Sequence, residues 1–202
     1  MNATEIPIDL KELLENEKTD FIIKAKRHEP LRKSVGGVFI GLAMCAFISM
    51  FVFAFFSELF EQEEVYFESN NSELILPGLI IFVLLSAGIY VLISGIISLF
   101  KEGGYFVGTE TRLIHFRKGK TTITDWEQFT GNVKIKAKNN FGDLEYQLRT
   151  GKTESRKNGP DVFVPDIIYI AAIENVYEIE RKCKIRIKEN DPTPAVAASQ
   201  EM

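Results

Sequence analysis

Cysteine and histidine are scarce in this chain, with two of each among 202 residues, and there is a single tryptophan. Cys45 and Cys183 lie far apart and neither has a CxxC partner, so they form neither a disulfide framework nor a zinc ribbon, and both are expected as free thiols. His28 and His115 have no neighbouring ligand residues, which argues against a metal centre. His115 sits in the apolar stretch Leu113-Ile114-His115-Phe116 and reads as a strand residue. A nucleophile elbow, a phosphate-cradling loop and a dinucleotide fingerprint are all missing. The expectation is a protein with no cofactor and no catalytic activity. The most informative absence is of charge. No Asp, Glu, Lys or Arg occurs from Ser34 to Ser57 or from Leu74 to Phe100. A mean hydropathy of zero conceals these runs, and they exclude a simple soluble globule.

The two runs hold 24 and 27 residues. At about 1.5 Å per helical residue each spans more than the roughly 30 Å of a bilayer core. A buried helix of a soluble protein rarely runs so long without a polar face. The first run starts too far into the chain, and is too long, for a signal peptide whose apolar region is about 7–15 residues. Both are expected to be permanent transmembrane helices.

Flanking charge orients them. The connection Glu58–Glu73 contains six acidic residues and no Lys or Arg. Lys24, Lys26, Arg27, Arg32 and Lys33 precede the first run, and Lys101, Arg112, Arg117, Lys118 and Lys120 follow the second. An excess of Lys and Arg marks the cytoplasmic face, so both termini are expected in the cytoplasm, at the inner (cytoplasmic) membrane. The implied division is a cytoplasmic segment 1–33 with a short amphipathic helix, a span 34–57, an acidic extracytoplasmic loop 58–73, a span 74–100, a cytoplasmic domain 101–190 and a disordered tail 191–202. The overall charge of −4 comes from the loop and the tail. The domain 101–190 is mildly basic, which suits a neighbour of anionic headgroups and is too weak a bias for nucleic acid.

The spans lack the ionisable groups that line transport paths. Pro77 is placed in a first helical turn, where it costs little. Small residues do recur. Gly37, Gly41, Cys45 and Ser49 fall four apart on the first span, and Ala87, Ser94 and Ser98 form a comparable face on the second. Such faces let helix backbones approach closely in lipid, either within one hairpin or against another subunit.

After Gly104 the pattern changes to short alternating strands. Tyr105–Thr109, Thr111–Arg117 and Thr121–Trp126 read as strands, with Lys118-Gly119-Lys120 as a tight hairpin. Val133, Ile135 and Ala137 alternate with Lys134, Lys136 and Lys138, giving one apolar and one basic face. Leu144, Tyr146 and Leu148 alternate next, Thr150–Pro160 reads as a polar loop, and Asp161–Pro165 as a last strand. From Ile167 apolar residues fall three and four apart through Ile187, predicting an amphipathic C-terminal helix with Glu180 as its one break. The expected fold is a two-span helical hairpin carrying an antiparallel β-domain closed by that helix.

The segment Tyr105-Phe106-Val107-Gly108-Thr109-Glu110-Thr111-Arg112-Leu113-Ile114, the hairpin Arg117–Lys120, the apolar positions Ile123, Phe129 and Val133, and the strand Gly142–Arg149 together resemble the bacterial pleckstrin-homology-like (PH-like) domains that stand beside membrane spans. The resemblance covers roughly residues 103–188; Trp126-Glu127-Gln128 has no counterpart in it. It implies a binding module rather than an enzyme, and fold alone does not name the ligand.

In the N-terminal segment Asp9 and Glu12 have capping-box spacing, with Leu10, Leu13 and Leu14 on one face. Phe21-Ile22-Ile23 is apolar enough to join a sheet edge or to lie at the membrane surface. The expected function is therefore a membrane-anchored interaction module for protein or lipid. Its candidate contacts are Arg117, Lys118 and Lys120 on the hairpin and Lys134, Lys136 and Lys138 on one strand face. The alternative is an accessory or scaffold subunit of a larger membrane complex, or a homo-oligomer, motivated by the small-residue stripe.

Overall fold

A computed structural model describes residues 6–15, 17–61, 72–157 and 159–192. The elements run α1 (Ile8–Leu14), β1 (Thr19–Ala25), α2 (Leu31–Glu61), α3 (Ser72–Phe100), β2 (Gly104–Thr109), β3 (Arg112–Arg117), β4 (Lys120–Asp125), a 3-10 turn at Trp126–Gln128, β5 (Phe129–Lys138), β6 (Phe141–Glu154), β7 (Val162–Glu174) and α4 (Val176–Glu189). They make two compact units: Met1–Pro30 with Glu102–Met202, and Leu31–Lys101.

The second unit is an antiparallel pair of long apolar helices. Their stretches Leu31–Ala54 and Leu76–Phe100 are long and apolar enough to cross a membrane. The acidic connection beyond Glu61 lies outside the described residues as far as Ser72. Because α3 begins at Ser72, Pro77 falls in its second turn and not its first, removing the N–H that would reach the carbonyl of residue 73. The helix contact has a seven-residue repeat. Ser34, Gly41 and Ile48 are buried on α2, and Gly88 and Gly95 on α3. A Cβ on Gly41 would lie 2.6 Å from the Leu92 Cα, and one on Gly95 2.7 Å from the Val38 N, so only glycine permits this approach. A Cβ on Gly37 would lie 3.6 Å from the Gly95 Cα, and one on Gly88 3.3 Å from the Cys45 Sγ. Ser34 and Ser98 hydroxyls share a 2.9 Å hydrogen bond. Gly37, Gly41, Cys45 and Ser98 thus face the partner helix of the same chain. Ser49, Ala87 and Ser94 are exposed, and the Ser49 hydroxyl donates to the Cys45 carbonyl at 2.8 Å. A strict four-residue stripe drifts around a helix of 3.6 residues per turn, whereas a seven-residue repeat stays on the seam.

The first unit is discontinuous in sequence. β1, which precedes both long helices, pairs antiparallel with β2, which follows them, from Phe21↔Gly108 to Ala25↔Gly104. The N-terminal segment therefore belongs to the β-domain, and Phe21-Ile22-Ile23 takes the sheet-edge role. Among the described residues seven strands form two antiparallel sheets, one of order β1-β2-β3-β4 and one of order β5-β6-β7. One core lies between them, built from Phe21, Phe106, Leu113, Trp126, Phe129, Tyr146, Ile170 and others, and α4 closes it with Val176, Ile179, Cys183 and Ile187. On the other face of the four-stranded sheet α1 packs Leu10, fully buried, against Val107, Ile114 and Phe116. A seven-residue helix is marginal alone; this apolar contact holds it. Its cap is Pro7, whose carbonyl accepts the Leu10 and Lys11 N–H groups at 3.0 and 3.1 Å. Asp9 makes no side-chain cap and sits inside the first turn.

The C-terminal helix starts at Val176, not near Ile167. Residues Ile167–Ile173 belong to β7, which pairs with β6. The misleading spacing comes from a bulge. The register passes from Leu144↔Ile170 to Gly142↔Ile173, so one extra residue is inserted, and Ala172 takes φ +57°. Ile170 and Ile173 both remain inward across it, and a strand with a bulge imitates a helical interval of three. Tyr177, expected on the inner stripe, is exposed, and Ile179 takes the inward place. The first part of the polar stretch from Thr150 is strand: β6 runs to Glu154, and β7 starts at Val162. Of the tail, residues 193–202 lie outside the described residues.

Ion pairs fasten the N-terminal segment. Glu17 pairs with Arg112. Asp20 accepts two hydrogen bonds from Arg186 on α4, at 2.5 and 2.7 Å. The Arg186 guanidinium holds the Asp20 carboxyl below its usual range. Asp20→Ala is expected to cost about 1–3 kcal/mol, between the values for exposed and fully buried pairs. Because the folded-state value is depressed, this contribution is complete above about pH 4 and is lost as pH falls through the lower folded value. Thermal unfolding at about pH 7 and about pH 3 checks this: the gap between variant and wild type narrows at the acid end.

The basic end of the β-domain as candidate functional site

The β3–β4 hairpin is built around Lys118 and Gly119, both at positive φ (+49° and +73°). This pair of conformations gives a two-residue hairpin whose twist matches its strands. Glycine adopts it freely, while Lys118 does so at some cost in strain. The turn sets Arg117 opposite Lys120. Beside it runs the start of β2, where Gly104 (φ +89°) lies so close that a Cβ would come 2.9 Å from the Arg117 Cβ. The Gly103 N–H donates to the Ala25 carbonyl at 3.2 Å. Three features thus share one end of the four-stranded sheet: the residue after which the chain departs toward α2, the residues at which it returns from α3, and the basic hairpin.

Charge at this end is largely uncompensated. Lys118 and Lys120 are exposed, and among the described residues neither they nor Arg117 has an acidic partner. Arg117 is half-buried and its Nε makes no hydrogen bond to a described residue. From β1, Lys24 Nζ stands 5.6 Å from the centre of the Tyr105 ring. Lys26 stands 5.2 Å from the centre of the Phe141 ring and pairs with Glu174 at 3.1 Å. The sequence marks Lys24, on β1, and Lys26, just beyond it, only as topology signals. They join the hairpin because β1 pairs with β2.

The other basic set lies elsewhere. Lys134, Lys136 and Lys138 point outward from β5 on the three-stranded sheet. Lys134 is opposite Glu145 and Lys136 opposite Asp143, and Lys136 Nζ pairs with Glu145 at 2.5 Å. Within this stripe Lys136 is ion-paired with Glu145, and the stripe lies on the three-stranded sheet, so it does not extend the hairpin cluster.

Burial pushes the Cys183 thiol up to about 12 and raises the neighbouring Tyr146 hydroxyl as well, so both stay protonated and unreactive. Among the described residues no three His, Cys, Asp or Glu side chains gather in a metal-binding group. No protein-family model, no curated protein and no solved structure matches the chain.

Proposed function

We propose that this chain is a membrane-held, non-catalytic binding module whose PH-like β-domain meets anionic phospholipid headgroups through the Arg117–Lys120 hairpin. The observation that carries the reading is the unpaired basic hairpin at the very end of the sheet where the chain leaves for α2 and returns from α3. In this reading α2 and α3 cross the bilayer as a hairpin. Paired strands lie about 4.8 Å apart, so the pairing of β1 with β2 supports a topology with both flanks of the hairpin on one side. The basic flanks support the cytoplasmic side as that side. Two antiparallel sheets of four and three strands, closed by a C-terminal helix, suit the PH-like assignment. With Gly37 and Gly41 facing α3 of the same chain, the small-residue pattern needs no second subunit.

Each basic residue near an anionic surface contributes about 1 kcal/mol, so two reversed charges shift the contact more than tenfold. The test uses the full chain in nanodiscs of zwitterionic lipid with and without phosphatidylserine, followed by amide hydrogen exchange across residues 116–121. Slower exchange with the anionic lipid, abolished by Lys118→Glu with Lys120→Glu and weakened by salt, is the expected result. Equal exchange in both lipid compositions ends the headgroup reading and leaves a protein ligand as the alternative.

A further inference from the structure

We infer that His28 and His115 form a pH-sensitive joint, which holds residues 26–30 on the β-domain near neutral pH and releases them on acidification. The inference is independent of the lipid reading, because every contact it uses lies within the β-domain unit. His115 stands on β3 where both connections to the long helices pass. Its ring stacks on Phe106 at 4.1 Å with the planes 3° apart. Its Nε2 is 2.7 Å from the Gly103 carbonyl oxygen, on the returning connection. The carbonyl only accepts, so Nε2 carries the hydrogen and Nδ1 is the atom that takes the next proton. The His28 ring, from the departing connection, lies 6.4 Å from the His115 ring, centre to centre, with the planes 16° apart. One imidazole therefore touches both connections.

The departing connection is held by backbone bonds and by side-chain contacts, and its residues Arg27, His28 and Glu29 are half-buried. Its backbone anchors are long: Lys26 N–H to the Ala172 carbonyl at 3.5 Å and Arg27 N–H to the Ala171 carbonyl at 3.4 Å. These sit at the limit of hydrogen bonding, and their acceptors lie at the β7 bulge. The His28–His115 stack and the Lys26–Glu174 pair add side-chain contacts to them, so a charge placed on the stack acts directly on what docks this segment.

The surroundings set the sign. Along its own strand His115 faces Arg117, and on β4 the same face carries Thr122 and Lys120. β1 and β2 offer Ile23, Ala25, Gly104 and Phe106 on that face, and α4 turns inward Val176, Ile179, Cys183 and Ile187 with the half-buried Glu180, paired with Lys184, beside them. The connections bring His28 and Glu29 on one side and Glu102, next to Gly103, on the other. Around the bulge stand Glu174, paired with Lys26, and Asp143, which accepts the Ala172 N–H at 2.8 Å. Burial, with the Arg117 charge, lowers the His115 pKa, while the Gly103 bond acts against this. A base whose docked pKa is depressed takes its proton more readily once undocked. Docking is therefore intact above the ordinary histidine range and weakens as pH falls below about 6.5. Carboxylic acids as a class titrate about two units lower, outside this window.

The test is amide hydrogen exchange of the full chain in zwitterionic nanodiscs at about pH 8 and about pH 5, corrected for intrinsic rates. The Lys26 and Arg27 amides are expected to lose about tenfold or more of their protection at the acid end. Val107 and Ile114, in the central strands, keep theirs. His28→Gln removes the partner ring from a half-buried position outside both apolar clusters, and is expected to abolish the pH dependence. His115→Gln is the complementary variant. Protection of Lys26 and Arg27 that does not change with pH, the same acid loss in His28→Gln, or an equal loss at Val107 and Ile114 each overturns the inference.

Discussion

Trp126→Ala is expected to cost the β-domain about 3–5 kcal/mol. That is a large share of the 5–15 kcal/mol that holds a typical domain together, and lowers the unfolding midpoint by roughly 10 °C or more. The indole is completely buried. It sits in the 3-10 turn that carries the chain from the four-stranded sheet to the three-stranded one, so it packs where the two layers meet. Phe129 lies 5.3 Å away, centre to centre, and Phe129 in turn packs edge-on against Tyr146 at 5.8 Å. The Nε1–H donates to the Thr109 carbonyl at 2.9 Å at the end of β2. Alanine leaves a cavity and an unmatched carbonyl together. Trp126→Phe separates the two effects. It retains most of the volume, loses the donor and is expected to cost about 1–3 kcal/mol. Circular dichroism on heating, with hydrogen exchange at Phe106 and Tyr146, measures both; a midpoint for Trp126→Ala within about 2 °C of wild type, well under the shift for 1 kcal/mol, contradicts this account of the core.

Gly95→Leu is expected to force α2 and α3 apart. The first atom of the new side chain would already stand 2.7 Å from the Val38 backbone nitrogen and 2.9 Å from the Gly37 carbonyl carbon. Backbone cannot yield as a flexible side chain does, so overpacking here lies at or above the usual 1–3 kcal/mol. Gly41→Leu meets the Leu92 backbone in the same way. Gly36→Leu is the control, because nothing lies within 4 Å of a Cβ there. The Ser34–Ser98 contact reports the separation. With Cys45→Ala and Cys183→Ala as background, Ser34→Cys with Ser98→Cys is expected to cross-link on oxidation. Adding Gly95→Leu is expected to reduce the yield about tenfold, and adding Gly36→Leu to leave it unchanged. Equal yields for Gly95→Leu and Gly36→Leu count against the glycine seam.

Which parts of this architecture can be read in one dimension follows from the range of the forces involved. The long helices are legible because their evidence is local: an apolar residue at nearly every position, over lengths no other element needs. The β2–β3–β4 hairpins are legible for the same reason, since alternation and a Lys-Gly turn specify pairing between sequence neighbours. The β7 bulge was not legible, because an inserted residue is defined only against the partner strand. Without that partner, Ile167, Ile170 and Ile173 have the spacing of a helix. The small-residue stripe was half legible. Gly37, Gly41 and Cys45 lie on the seam, but the exact repeat depends on how two helices wind about each other, which moved the α3 contact from Ala87 and Ser94 to Gly88 and Gly95. Among the basic residues, sequence alone treats Lys118 and Lys136 alike. Only the cross-strand neighbours separate them, because Lys136 has Glu145 within reach and Lys118 has no acidic partner among the described residues.

The sequence by itself determined that this chain carries two uninterrupted apolar helices, an acidic connection between them and a β-rich portion with a basic tilt. Each of these is a property of composition over a window and needs no partner. Only the tertiary structure decided that β1 and β2 are neighbours, and with them that the β-domain is assembled from both sides of the helical pair. Strand pairing is a set of hydrogen bonds between residues distant in the chain, and no local pattern in Phe21–Ala25 names Gly104–Gly108 as its partner. The same pairing brings Lys24, and with it the connection carrying Lys26 and His28, to the end of the sheet that carries Arg117, Lys118, Lys120 and His115, and so gathers residues that the sequence scatters.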